Sequence, residues 1–143
     1  MSAGIIVGYD GSDGAREALR FGAEIADVYG DPLIIAYGYE LNRVAGEMAD
    51  YQAALRDLAE KELGHGIHQA QSLGAKVEAV VIEDSPARAL ADLARERDAR
   101  AIVVGSRGES PLRGFLVGST PHKLLQIADR PVLVVPATQH QVP

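Results

Sequence analysis

Five short apolar runs rich in β-branched residues recur along this chain, and a segment with helical period separates each from the next. They are Ile5-Ile6-Val7, Leu33-Ile34-Ile35-Ala36-Tyr37, Lys76-Val77-Glu78-Ala79-Val80-Val81-Ile82, Ala101-Ile102-Val103-Val104 and Val132-Leu133-Val134-Val135. Strand–helix alternation through the whole length predicts a doubly wound α/β fold. A five-stranded parallel sheet carries helices on both faces, joined by right-handed crossovers. With 143 residues, 47% of them hydrophobic, one sizeable core can be buried, so residues 1–143 read as a single domain.

The punctuation between the runs agrees. Asp10-Gly11-Ser12-Asp13-Gly14 turns into a helix from about Ala15 to Val28, where Ala15, Ala18, Leu19, Gly22, Ala26 and Tyr29 or Ile25 fall at three- and four-residue steps and make one closely packable side. Gly30-Asp31-Pro32 stops it. A long helix is expected from about Glu47 toward Leu73; Gly64 and Gly66 each cost it ~1 kcal/mol in propensity, which predicts a bend or break near His65. The third run alternates at first, as a half-exposed edge strand does. Ser85 and Pro86 then suit the cap and first residue of a helix reaching about Arg97.

The segment from Gly105 to Thr120 carries the chemistry. It begins where the fourth strand stops and holds Gly105-Ser106-Arg107-Gly108, then Gly118-Ser119-Thr120 at the expected start of a new helix. Glycines let backbone N–H groups approach an anion closely, and a helix N-terminus presents a positive dipole end. That construction suits a phosphate. Arg107 and Arg113 are the cations inside it, and a guanidinium fork reaches a terminal phosphate well. No Gly-Lys-Ser/Thr follows, so this is not a Walker loop.

Gly105-x2-Gly108-x9-Gly118-Ser119 resembles the nucleotide-binding signature of the universal stress protein family, and the likeness covers nearly the whole chain. Its other marks are Val7-Gly8-Tyr9-Asp10-Gly11-Ser12, Asp84-Ser85-Pro86 and Arg130-Pro131-Val132-Leu133-Val134-Val135. The resemblance implies strand order 3-2-1-4-5, which places strands one and four side by side where winding reverses and ligands gather. It implies an ATP-binding member, with Mg as an optional companion. Gly8, Tyr9, Tyr37 and Gly38 would line the adenine pocket, and Asp10 would accept bonds from adenine or ribose. Gly105, Ser106, Gly108, Gly118, Ser119 and Thr120 would hold the phosphates. Asp10 also suits an N-cap or Asx turn, and both roles can hold together. Thr120-Pro121 stands where the family usually has a small residue and then serine; Thr120 offers a replacement hydroxyl.

Other features exclude function classes. Fourteen basic residues against twenty acidic give no electrostatic drive toward nucleic acid or anionic membranes, and the absence of cysteine removes disulfides and thiolate metal sites. No apolar run approaches the ~20 residues of a membrane span, so a cytoplasmic protein is expected. Arg88, Arg95, Arg97 and Arg100 alternate with Asp92, Glu96 and Asp98, as on a salt-bridged surface helix. Glu62, His65 and His68 share a helical step but read as a solvated face instead of a metal site. Ser119 and His122 lack an orienting acid, so no catalytic residue is assigned. The expected function is an adenine-nucleotide switch in stress signalling or assembly; a nucleotide-free docking module and a slow ATPase are the alternatives. A homodimer is expected through Val132–Val135, because that continuously apolar run would lie at a sheet edge.

Overall fold

The computed structural model describes residues 3–40, 48–106 and 118–137. Strands β1 (Ile5–Gly8), β2 (Leu33–Tyr39), β3 (Val77–Glu83), β4 (Ala101–Gly105) and β5 (Val132–Val135) alternate with helices α1 (Asp13–Tyr29), α2 (Met48–Ser72), α3 (Pro86–Arg97) and α4 (Ser119–Ile127). All strand pairs are parallel, in the order β3-β2-β1-β4-β5. The expected architecture and order are both present. Ile5 pairs with Leu33 on one side and Ala101 on the other, so β1 is the sheet's centre.

Central position explains composition. Ile5, Ile6 and Val7 are fully buried because alternate side chains enter two different cores. Ile5 and Val7 join Leu19 of α1 and Leu63 of α2 on one face. Ile6 joins Leu90 of α3 and Leu124 of α4 on the other. At the edge, β5 leaves Leu133 exposed and its other three residues half-buried. Local signals set the ends. Ser12 caps α1 by accepting a hydrogen bond from the Ala15 N–H at 3.2 Å, and left-handed Gly30 closes it.

One alternative fails: the glycines do not break α2, which is continuous from Met48 to Ser72. Gly66 lies on the buried line Ala59, Leu63, Gly66, Ala70. A Cβ there would stand 3.0 Å from Ile35 Cδ1 and 3.1 Å from Tyr9 Cε2. The residue that weakens the isolated helix is therefore the one that lets it reach the sheet, and tertiary packing outweighs a propensity cost of ~1 kcal/mol.

The arginines near α3 also pair differently from the sequence reading. Arg95 does bridge Asp92 within the helix, at 3.4 Å, but it also reaches Asp129 beyond α4. Arg97 pairs with Glu78 of β3. Arg100 holds the Asp31 carboxylate, only 2% exposed, at 2.6 Å and stacks on Tyr29 with its guanidinium 4.0 Å from the ring centroid. These bonds tie successive connections together at the end of the sheet where the strands begin.

The Arg97 hydrogen bond holds the Glu78 carboxyl below its usual value. A depressed carboxylate contributes stability above its unfolded pKa and loses it as pH falls through the folded one. Arg97→Ala should thus flatten the acid limb of the stability curve below about pH 5 by less than about 1 kcal/mol, as for exposed pairs. Urea titrations between neutral and acid pH check this.

Candidate functional site

The chain leaves β1 through a tightly specified turn. Tyr9 N–H donates to the Ala36 carbonyl at 2.9 Å, carrying the β1–β2 pairing one residue past the strand. Asp10 then folds back, its Oδ1 accepting from the Ser12 N–H at 3.0 Å and the Ser12 hydroxyl at 2.6 Å. This is an Asx turn, and the same hydroxyl caps α1, so the structural role foreseen for Asp10 is realised.

On the neighbouring strand, Gly105 meets α1 directly. A Cβ on it would lie 2.7 Å from Gly14 C and 2.8 Å from Gly14 O. Two glycines thus let the first turn of α1 rest on the end of β4. Beyond it, Ser106 N–H donates to the Val135 carbonyl at 2.8 Å, and the Gly118 N–H donates to the Ser106 carbonyl at 2.6 Å. That second bond joins the two flanks of positions 107–117 and seats the start of α4 at the tip of β4. Gly118 is the N-cap and has no side chain to satisfy the first turn, so the Ser119 and Thr120 N–H groups begin the helix without intrahelical acceptors. Ser119 is exposed and Thr120 half-buried. Arg107, Gly108 and Arg113 lie outside the described residues.

The sequence-selected positions therefore converge unequally. Gly8, Tyr9, Asp10, Gly105, Ser106 and Gly118 come to one end of the adjacent strands β1 and β4. Tyr37 and Gly38 lie one strand further out, on β2. Gly38 also has a packing task, since a Cβ would come 2.9 Å from Pro86 Cα. Gly8 is similar, 2.8 Å from Leu90 Cδ1 by the same measure. The Tyr9 ring is buried beneath α2; burial pushes its phenol above the usual value, while Arg16 pulls the other way.

Sequence reasoning missed two neighbours. Arg16 donates to the Gly11 carbonyl at 2.7 Å, and Glu62 lies beside Gly11 with a side chain only 24% exposed, not on a solvated face. His65 and His68 are exposed as expected. Position relative to the apolar line Ala59, Leu63, Gly66, Ala70 was the signal that could have placed Glu62 at a helix contact. Among the described residues no helix is long and apolar enough to cross a membrane.

The profile of the universal stress protein family matches residues 1–136. The chain belongs to the universal stress protein family. A Mycolicibacterium smegmatis universal stress protein is 32% identical over 141 residues, which cover 92% of this chain but 47% of that protein; the chain thus spans about half the length of this relative. A universal stress protein solved in complex with cAMP superposes with a TM-score of 0.71 at 29% identity, covering 94% of this chain and 97% of its own. The Archaeoglobus fulgidus universal stress protein in complex with dAMP gives 0.70 at 27% identity, covering 92% and 95%. Universal stress proteins that hold adenine nucleotides thus share this arrangement of strands and helices.

Proposed function

We propose that the chain binds an adenine nucleotide, ATP in particular, across the ends of β1 and β4, and that occupancy acts as a signalling or assembly switch. The observation that carries this reading is the Gly118–Ser106 bond, which seats the N-terminus of α4 at the tip of β4, the strand next to β1, from which the chain runs into Asp10. A helix N-terminus favours phosphate, and a carboxylate favours the hydroxyls and amines of ribose and base. The nucleotide's two ends match these two ends of the site. In this reading Asp10, with Gly8, Tyr9, Tyr37 and Gly38 around it, serves base and ribose. Gly105, Ser106, Gly108, Gly118, Ser119 and Thr120 serve the phosphates, and Arg107 and Arg113 contact the terminal one, with Mg where ATP brings it. The cAMP and dAMP complexes of related proteins support the adenine-nucleotide class. Residues 1–143 act as one domain in the cytoplasm. Hydrolysis, as a slow ATPase, is the lesser reading, because phosphoryl transfer also needs a residue that orients the nucleophile and none is assigned that role here.

Mass spectrometry of whatever is released from gently purified protein should find an adenine nucleotide. Calorimetry should then show ATP affinity falling by at least about tenfold in Gly118→Val, since a bulky side chain keeps backbone from phosphate. Gly118 has φ −69° and ψ 174°, which valine adopts readily, so the variant should fold. Unchanged affinity in the folded variant would overturn the assignment.

We also propose a homodimer through β5. Leu133 on that edge is 36% exposed, and α1 and α4, both packed beside β5, expose Phe21 at 39% and Leu125 at 64%. Apolar surface on the two helices packed against a strand that, among the described residues, is paired on one side only suits an isologous contact.

A further inference from the structure

Gly11 follows Asp10 in the turn and has φ +84°, a conformation that side chains disfavour. The space its Cβ would take is filled from α2: Glu62 Cδ lies 2.7 Å and Cγ 3.3 Å from that point. The turn is gripped a second time by Arg16, whose Nη1 donates to the Gly11 carbonyl at 2.7 Å. Arg16 is itself held by α2, because Gln69 Nε2 donates to its carbonyl at 3.0 Å. The preceding residue, Tyr9, is packed under the same helix at Gly66. Asp10 therefore sits between two residues that α2 constrains, while its own hydrogen bonds run only to Ser12 among the described residues.

We propose that Glu62 is a positioning residue for Asp10: lying against Gly11, it holds the turn in the one shape that orients the Asp10 carboxylate for a ligand. The inference rests on the nucleotide-binding reading above. A carboxylate that is already oriented loses less freedom on binding than one on a loose turn, so affinity depends on the contact from α2 although Glu62 touches no ligand. Gly11 is then required twice, for its left-handed backbone and for the room it leaves to Glu62.

A double-mutant cycle tests this. Wild type, Glu62→Ala, Asp10→Ala and the double variant are titrated calorimetrically with ATP, and exchange of the Ser12 amide hydrogen is followed by NMR in the first two and in Glu62→Gln. Glu62→Ala should weaken ATP binding by about 5-fold when Asp10 is present and leave it unchanged when Asp10 is absent. Ser12 exchange should accelerate by at least about 3-fold in Glu62→Ala, while Glu62→Gln, which keeps the contact, stays near wild type in both readouts. An equal loss of affinity in both backgrounds, or no loss in either, would overturn the proposal, as would unchanged Ser12 exchange. If wild-type protein binds no adenine nucleotide, the functional reading fails by itself. The exchange measurement then still decides whether Glu62 orders the turn.

Discussion

Gly105→Ala should unfold at a clearly lower urea concentration than wild type, with a stability loss of ~1–3 kcal/mol, and Gly105→Val should fail to accumulate as folded protein. The new methyl would stand 2.7 Å from Gly14 C, 2.8 Å from Gly14 O and 3.1 Å from Gly14 Cα, and all three are backbone atoms. No rotamer change relieves such a contact. Helix α1 must lift from the sheet, yet Ala15, Ala18, Leu19 and Ala23 fix it in the core behind. The effect falls on stability before it falls on any ligand. Gly118→Val should do the reverse and keep the wild-type midpoint. Equal midpoints for Gly105→Ala and wild type would show that the close approach is not what Gly105 is for.

Leu133→Lys should convert a dimer into monomers. Light scattering at micromolar concentration should report twice the 15.2 kDa chain mass for wild type and the single mass for the variant. Leu133 is partly exposed already, so the substitution removes little core and adds a charge where two edges would meet. Pro131 and Pro136 bracket the strand, and neither can donate a backbone hydrogen bond, so pairing stops after about four residues and closes as a two-fold contact. The exposed Phe21 and Leu125 lie on α1 and α4, the two helices that pack against β5, and would add apolar width to the contact. A monomeric wild type would end the proposal.

The fold was largely legible because strand signals here are strong and repeated. Ile5-Ile6-Val7 and Ala101-Ile102-Val103-Val104 carry the β-branched continuity of strands buried on both faces, and Ser12 and Pro86 mark helix starts. The strand order came from resemblance, since periodicity says nothing about which strands are neighbours. What was not legible depended on contacts distant in sequence. Gly66 looked like a break because propensity is local, while its use is to let Tyr9 and Ile35 pass under the helix. Glu62 looked solvated because spacing to His65 and His68 shows a helix face but not what lies across from it. The arginines in and just after α3 looked self-paired, yet Arg97 and Arg100 answer to Glu78 of β3 and Asp31 before β2. The candidate site divides likewise: the sequence singled out Asp10, Gly105 and Gly118, but the packing tasks of Gly8, Gly38 and Gly105 appear only against α3 and α1.

The bond from Gly118 to Ser106 has a consequence for how such a chain can be re-engineered. Because those flanks already meet, the frame itself fixes the separation between Ser106 and Gly118. Doubling the length of a flexible segment joined there costs only ~0.6 kcal/mol in closure entropy, which leaves the frame nearly indifferent to what is carried there. Ser106 and Gly118 are thus splice points: a segment of another length can be joined at this clasp without redesigning the sheet beneath it.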